Sequence, residues 1–161
     1  MAENKKEEIL RLLREGKSES ASKYAYGSRG IIYRQEGPVD LSSEYALYGY
    51  KGERSTVIIP SKIGRTPVTA IGVPDIHKIY TQNAFWDVDT IIVSEGIREI
   101  NYCAFSIVNN LKHIYLPNSL ERVAEDGLLY HTDTTVYCSK NNTLAQSVAK
   151  LHDFQCVLLD E

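Results

Sequence analysis

The sequence predicts a β-rich α/β chain whose last two-thirds winds as a short solenoid, and three features carry that prediction. Short β-forming runs recur from residue 56 onward, apolar pairs follow each run at fixed offsets, and the chain closes on a helix and a strand that break the pattern. The 161 residues divide into a helix with its linker over 1–22, a tyrosine-rich segment over 23–55, and the solenoid with its closing helix and strand over 56–161.

Glu3 to Glu15 has helix-forming composition. Ile9, Leu10, Leu12 and Leu13 make an apolar stripe among lysines and glutamates, and Gly16 supplies a stop. Lys17 to Ser22 is small and polar, as a linker should be. Tyr24, Tyr26, Tyr33, Tyr45, Tyr48 and Tyr50 then share a stretch with Gly27, Gly30, Gly37 and Pro38, a composition that predicts short strands near Gly30–Arg34 and Glu44–Tyr50. Such a segment is suited to cover the open end of a sheet, where a bare edge would invite aggregation.

The repeat begins at Val57-Ile58-Ile59-Pro60 and returns as Ile91-Ile92-Val93-Ser94 and Ile114-Tyr115-Leu116-Pro117. Each run precedes a second apolar pair: Val68 and Ile71, Ile97 and Ile100, Leu120 and Val123. Val93 to Leu116, Ile97 to Leu120 and Ile100 to Val123 are each 23 positions apart. Ala84-Phe85 and Ala104-Phe105 recur after them, with Gly127-Leu128 in the third copy. The first copy carries about nine extra residues between Ile71 and Ala84, which predicts a loop inserted on one face of a coil. A degenerate fourth copy starts at Thr135-Val136-Tyr137-Cys138 and leads to a short helix begun by Asn142 and a last strand over Phe154–Leu159.

These residues resemble the BspA-like leucine-rich repeat family, whose unit reads approximately Leu-x-x-Ile-x-Leu-Pro, then Leu-x-x-Ile, then Ala-Phe; Leu111-Lys112-His113-Ile114-Tyr115-Leu116-Pro117 through Leu120 and Val123 is close to it. Tyr48 to Gly52 with Val57 to Pro60 and Pro67 to Gly72 looks like that family's first coil. The resemblance covers about Glu44 to Asp160. It implies a right-handed leucine-rich-repeat solenoid with a helical and β cap at the N-terminal end and a helix-strand cap at the C-terminal end. It also implies protein binding, and it supplies no shared catalytic residues.

If Val57, Ile91, Ile114 and Thr135 point inward together with Ile59, Val93, Leu116 and Tyr137, strand alternation turns Ile58, Ile92, Tyr115 and Val136 outward. Thr56, Thr90, His113 and Thr134 flank them on the same face. An aliphatic and aromatic outward row is unusual for a solvated strand face. One reading is a concave strip that binds a protein or peptide. The other is a row that only stabilises neighbouring strands, or that lies beneath a folded-back N-terminal segment. The helix itself has two destinations, the solenoid of its own chain or a second chain in a homo-oligomer.

Chemistry finds less support. His77, His113, His131 and His152 with Cys103, Cys138 and Cys156 are metal-ligand types, yet no CxxC, HxxxH or HExxH spacing joins them, and no metal or cofactor is expected. No Gly-x-Ser-x-Gly elbow or glycine-rich phosphate loop is present, so no catalytic residue is assigned. An enzyme or metal protein built on the His77–Gln82 insertion stands as the competing class. A net charge of -3 and a pI near 5.8 give no general field for nucleic acid. No apolar stretch is long enough for a bilayer, the first residues are charged, and the cysteines are odd in number, so the sequence reads as a cytoplasmic, non-enzymatic interaction module with a homo-oligomeric scaffold as the alternative.

Overall fold

The computed structural model of the chain describes residues 4–72, 87–101, 104, 111–124 and 133–160. The His77–Gln82 insertion, Cys103, His131 and the residues Ala84, Phe85, Phe105, Gly127 and Leu128 lie outside the described residues.

Helix α1 spans Lys5–Glu15. The Asn4 side chain accepts a hydrogen bond from the Glu7 amide at 2.8 Å, and Glu7 and Glu8 complement the positive end of the helix. Gly16 ends it in extended backbone, with its amide donating to the Leu12 carbonyl at 2.8 Å. After a short 3-10 turn over Ala21–Lys23 come β1 (Tyr24–Ser28), β2 (Ile31–Arg34), β3 (Gly37–Asp40) and β4 (Tyr45–Tyr50). β1 pairs antiparallel with β4, and β2 pairs with β3 as a separate hairpin, with Gly37 at φ 125 opening β3 directly after the turn. The sequence predicted the second and fourth of these strands. The other two carry Gly27, Gly37 and Pro38, which weaken a strand signal.

The solenoid follows as β5 (Thr56–Ile59), β6 (Lys62–Ile63), β7 (Thr66–Ile71), β8 (Thr90–Val93), β9 (Glu99–Ile100), β10 (His113–Tyr115), β11 (Arg122–Val123), β12 (Thr135–Cys138), α2 (Thr143–Leu151) and β13 (Gln155–Leu158). One parallel sheet has the order β5-β8-β10-β12-β13, and a second runs β1-β4-β7-β9-β11 with β6 beside β7. The chain therefore winds between two sheets through about four turns of a β-solenoid. The repeat length is visible in the bonds between coils: the Glu95 carboxylate accepts from the Asn118 and Ser119 amides, and the Ser119 hydroxyl accepts from the Gly96 amide at 2.9 Å. Between the sheets lies the core. Val57, Ile59, Ile91, Val93, Ile114 and Leu116 meet Val68, Ile71, Ile97, Ile100 and Leu120 there.

The fourth strand departs from the expected register by one residue. Thr135 stands opposite His113, Val136 opposite Ile114, and Tyr137 opposite Tyr115. Val136 and Cys138 are thus the inward residues of β12, and Tyr137 takes the outward place assigned from sequence to Val136. The spacing from Ile114 to Val136 is 22 residues rather than 23, and aligning Ile114 with Thr135 overshot that shortening. Asn142 begins α2 as expected. Its side-chain oxygen accepts from the Ala145 amide at 3.0 Å, while its amide nitrogen donates to the Leu116 and Pro117 carbonyls of the preceding coil.

Candidate functional site

With the register corrected, the outward row of the first sheet reads Ile58, Ile92, Tyr115, Tyr137 and Val157, because these residues stand opposite one another across β5, β8, β10, β12 and β13. An apolar row on an outer sheet face must be covered or must bind something. Here α1 lies on it. Ile9 is completely buried and joins Ile92, Tyr115 and Tyr137 in a second apolar cluster, separate from the core, with Leu12, Ile58, Val157 and Leu159 packed around it.

The sequence-assigned residues divide accordingly. Ile92 and Tyr115 are buried beneath the helix, and Ile58 is partly buried at its C-terminal end. Val136 belongs to the core and presents nothing outward. Of the flanking residues, Thr56, Thr90 and His113 share one row with Thr135. Thr134 is buried, with its hydroxyl donating to the Leu111 carbonyl at 2.8 Å, so it stands outside that row. Thr90 is also fully buried and donates to the Asp89 carboxylate at 2.7 Å. Of the two readings of this row, an open strip and a row beneath a folded-back N-terminal segment, the arrangement matches the second over its middle, where the chain's own helix lies.

Polar groups set the edge of the covered row. His113 Nδ1 and the Tyr137 hydroxyl share a hydrogen bond at 2.9 Å, and their rings lie 5.7 Å apart. Burial first, and then the Lys5 ammonium of α1, hold the His113 imidazole below the ordinary histidine range. Burial pushes the Tyr115 hydroxyl up to about 12 and raises that of Tyr137. All three side chains are therefore neutral at pH 7, which suits an apolar contact.

The segment after α1 is pinned a few residues on. The Tyr24 hydroxyl accepts from the Glu19 amide at 3.1 Å and donates to the Ile58 carbonyl at 3.0 Å. The Tyr50 hydroxyl donates to the Glu19 carboxylate and accepts from the Arg54 amide, and Arg54 Nε lies 3.4 Å from the same carboxylate. Between this lock and the helix end is a cleft of about 310 Å³, with Leu12, Val57 and Ile58 as apolar walls and Lys17, Glu19 and Arg54 among its polar ones. Gly16 forms part of it. A Cβ there would stand 2.4 Å from Ile58 Cδ1 and 2.5 Å from the Leu12 oxygen, so glycine lets the helix end approach β5 closely.

A second charged assembly ties the β2–β3 hairpin to the other sheet. The Arg29 side chain is almost inaccessible, with Nη1 donating to the Thr69 hydroxyl at 3.0 Å and Nη2 2.9 Å from a Glu99 oxygen. That last contact is an ion pair off the donor axis, and among the described residues Arg29 Nε and Nη2 have no aligned acceptor. Arg34 also binds Glu99, and Arg98 binds Glu44. Burial pushes the Glu99 carboxyl up, but the close positive charges of Arg29 and Arg34, with the hydrogen bond from Arg34, outweigh it and hold the group below the usual carboxylate range. Among the described residues no group of three or more histidine, cysteine or acidic side chains is arranged to hold a metal ion, and no helix is long and apolar enough to cross a membrane.

The sequence reading missed Tyr137 and Val157 in the row, the Arg29 assembly, and the meeting of Cys138 with Cys156. Parity along β12 was the signal for the first, since Val136 is β-branched and Tyr137 can reach His113. Compared with protein-family models, with curated proteins and with solved structures, the chain matches none.

Proposed function

We propose that the chain is a non-enzymatic protein-binding module, a short right-handed leucine-rich-repeat solenoid, whose outward apolar row receives an amphipathic helix and is held closed by α1 until a partner helix displaces it. The observation that carries this reading is the complete burial of Ile9 among Ile92, Tyr115 and Tyr137: the row already accommodates a helical ligand, in cis. On this reading β1 to β4 close one end of the solenoid, α2 with β13 closes the other, and the setting is cytoplasmic, in line with an odd number of cysteines without paired spacing.

The lock at Glu19 defines how opening occurs. Tyr24 and Tyr50 keep Glu19 on the body, which leaves Gly16 to Ser18 as the segment about which α1 swings away. A partner competes with a tethered helix, so its apparent affinity is reduced by the fraction of molecules that are closed.

The test uses a fluorescent peptide of residues 1–16 with the full chain and with a version lacking those residues. Anisotropy is expected to show the peptide binding the trimmed chain and not the full one, and Tyr115→Asp in the trimmed chain is expected to abolish binding. A trimmed chain that keeps its β circular dichroism yet ignores the peptide refutes the reading. Light scattering on the full chain separates the homo-oligomeric alternative, since helices exchanged between copies give a dimer that disappears on trimming.

A further inference from the structure

We propose that Cys138 and Cys156 form a reversible disulfide, making the junction of the last two strands a thiol-oxidation site. β12 and β13 are adjacent and parallel, with Val136 opposite Cys156 and Cys138 opposite Leu158, so the two cysteines face each other diagonally across one strand pair. Their sulfurs are 3.8 Å apart. Closing that gap to a bond of about 2.05 Å takes a shift that an edge strand can make, and β13 is the last strand of its sheet.

Exposure assigns the order of events. Cys156 is exposed and Cys138 is buried, so a hydroperoxide meets Cys156 first. Cys156 gives up its proton and its sulfur attacks the terminal hydroxyl oxygen of the peroxide; the O–O bond breaks, and the other oxygen takes up that proton and leaves as an alcohol, or as water when the oxidant is hydrogen peroxide. The sulfur is oxidised to a sulfenic acid while the peroxide is reduced. The Cys138 sulfur then attacks the Cys156 sulfur, the S–O bond breaks, and the departing hydroxide takes the Cys138 proton and leaves as water. Two thiols and one hydroperoxide thus become one disulfide, one alcohol and one water. Burial, and then the neighbouring Cys156, push the Cys138 thiol up to about 12, which keeps it from reacting with peroxide ahead of its partner.

The experiment treats the reduced full chain with equimolar hydrogen peroxide, blocks remaining thiols with N-ethylmaleimide, and maps the digest by mass spectrometry without reduction. The expected product is a Cys138–Cys156 cross-linked peptide about 2 Da lighter than the sum of its thiol forms, with Cys103 alone alkylated and all three cysteines alkylated again after dithiothreitol. Cys103→Ser should give the same cross-link, and Cys156→Ser should leave Cys138 alkylated. Cys156 recovered as sulfinic acid beside an alkylated Cys138, or joined to Cys103, overturns the proposal.

Discussion

Truncating Ile9 to alanine separates a docked helix from an integral one. Ile9 is wholly buried, and the substitution removes three carbons, worth about 2.4 kcal/mol of transfer energy at ~0.8 kcal/mol per carbon, before any cavity contribution. An isolated helix as short as the 11 residues of α1 is marginal in water, so its seat on Ile92, Tyr115 and Tyr137 is what holds it. The loss should therefore appear as local opening. At about 1.4 kcal/mol per tenfold, the opening equilibrium of α1 rises roughly fifty-fold. Native-state hydrogen exchange is the assay: amides of Leu10 to Glu15 should lose protection while those of Ile91 to Val93 and Val136 keep theirs. Ile114→Ala, in the inner core, should lower the protection of all of them and depress Tm by roughly 5 to 15 °C. If Ile9→Ala leaves α1 protected, or if helix and strand amides lose protection together, the helix is not a separately opening unit and the displacement mechanism fails.

Gly16→Ala should disturb the same unit from its other end, because the new methyl meets the Leu12 backbone oxygen, which cannot rotate away as Ile58 Cδ1 can. We expect a loss of about 1–3 kcal/mol in helix docking, read as faster exchange at Leu12 to Gly16; unchanged exchange would mean that the close approach is dispensable. Glu99→Gln removes an anion from the buried Arg29 and should cost about 3–5 kcal/mol at pH 7, measured by urea unfolding. The Glu99 carboxyl is depressed in the folded chain, so the stability it confers is complete above the usual carboxylate range and is lost as pH falls through its lower folded value. The wild type should consequently converge on Glu99→Gln with acidification, and parallel stability curves down to pH 3 would refute the assignment.

The solenoid was legible because its constraints are local and repeated. A 23-residue offset shared by Val93, Ile97 and Ile100 with Leu116, Leu120 and Val123 leaves few ways to stack inward residues, and the structure stacks them so. Legibility ended where the period changed. At β12 a single-residue shortening reversed inside and outside, since side chains on a strand alternate with a period of two. β1, β3 and β6 escaped for another reason: two of them carry glycine or proline and the third is two residues long, so pairing with their neighbours defines them better than their own composition does.

For the site, the unusual apolarity of Ile58, Ile92 and Tyr115 was visible and a folded-back N-terminal segment was one of its two readings, but the choice between that segment and a partner was not. The stripe on α1 and the row on the sheet are each incomplete by the same criterion, an amphipathic face without a partner, and nothing in either segment names the other. Ile9 and Tyr137 are 128 positions apart, and their contact depends on where the linker lets the helix lie. Linker placement depends in turn on Tyr24 and Tyr50 holding Glu19, side-chain bonds that no periodicity encodes. The same condition governs the mechanism. If Glu19 stays pinned while α1 moves, Tyr24→Phe should leave the closed state intact but loosen the tether, because it removes the hydroxyl that bridges the Glu19 amide to the Ile58 carbonyl. Closure by the helix face and tethering by the lock are then separable properties, one set by Ile9 and the other by two tyrosines.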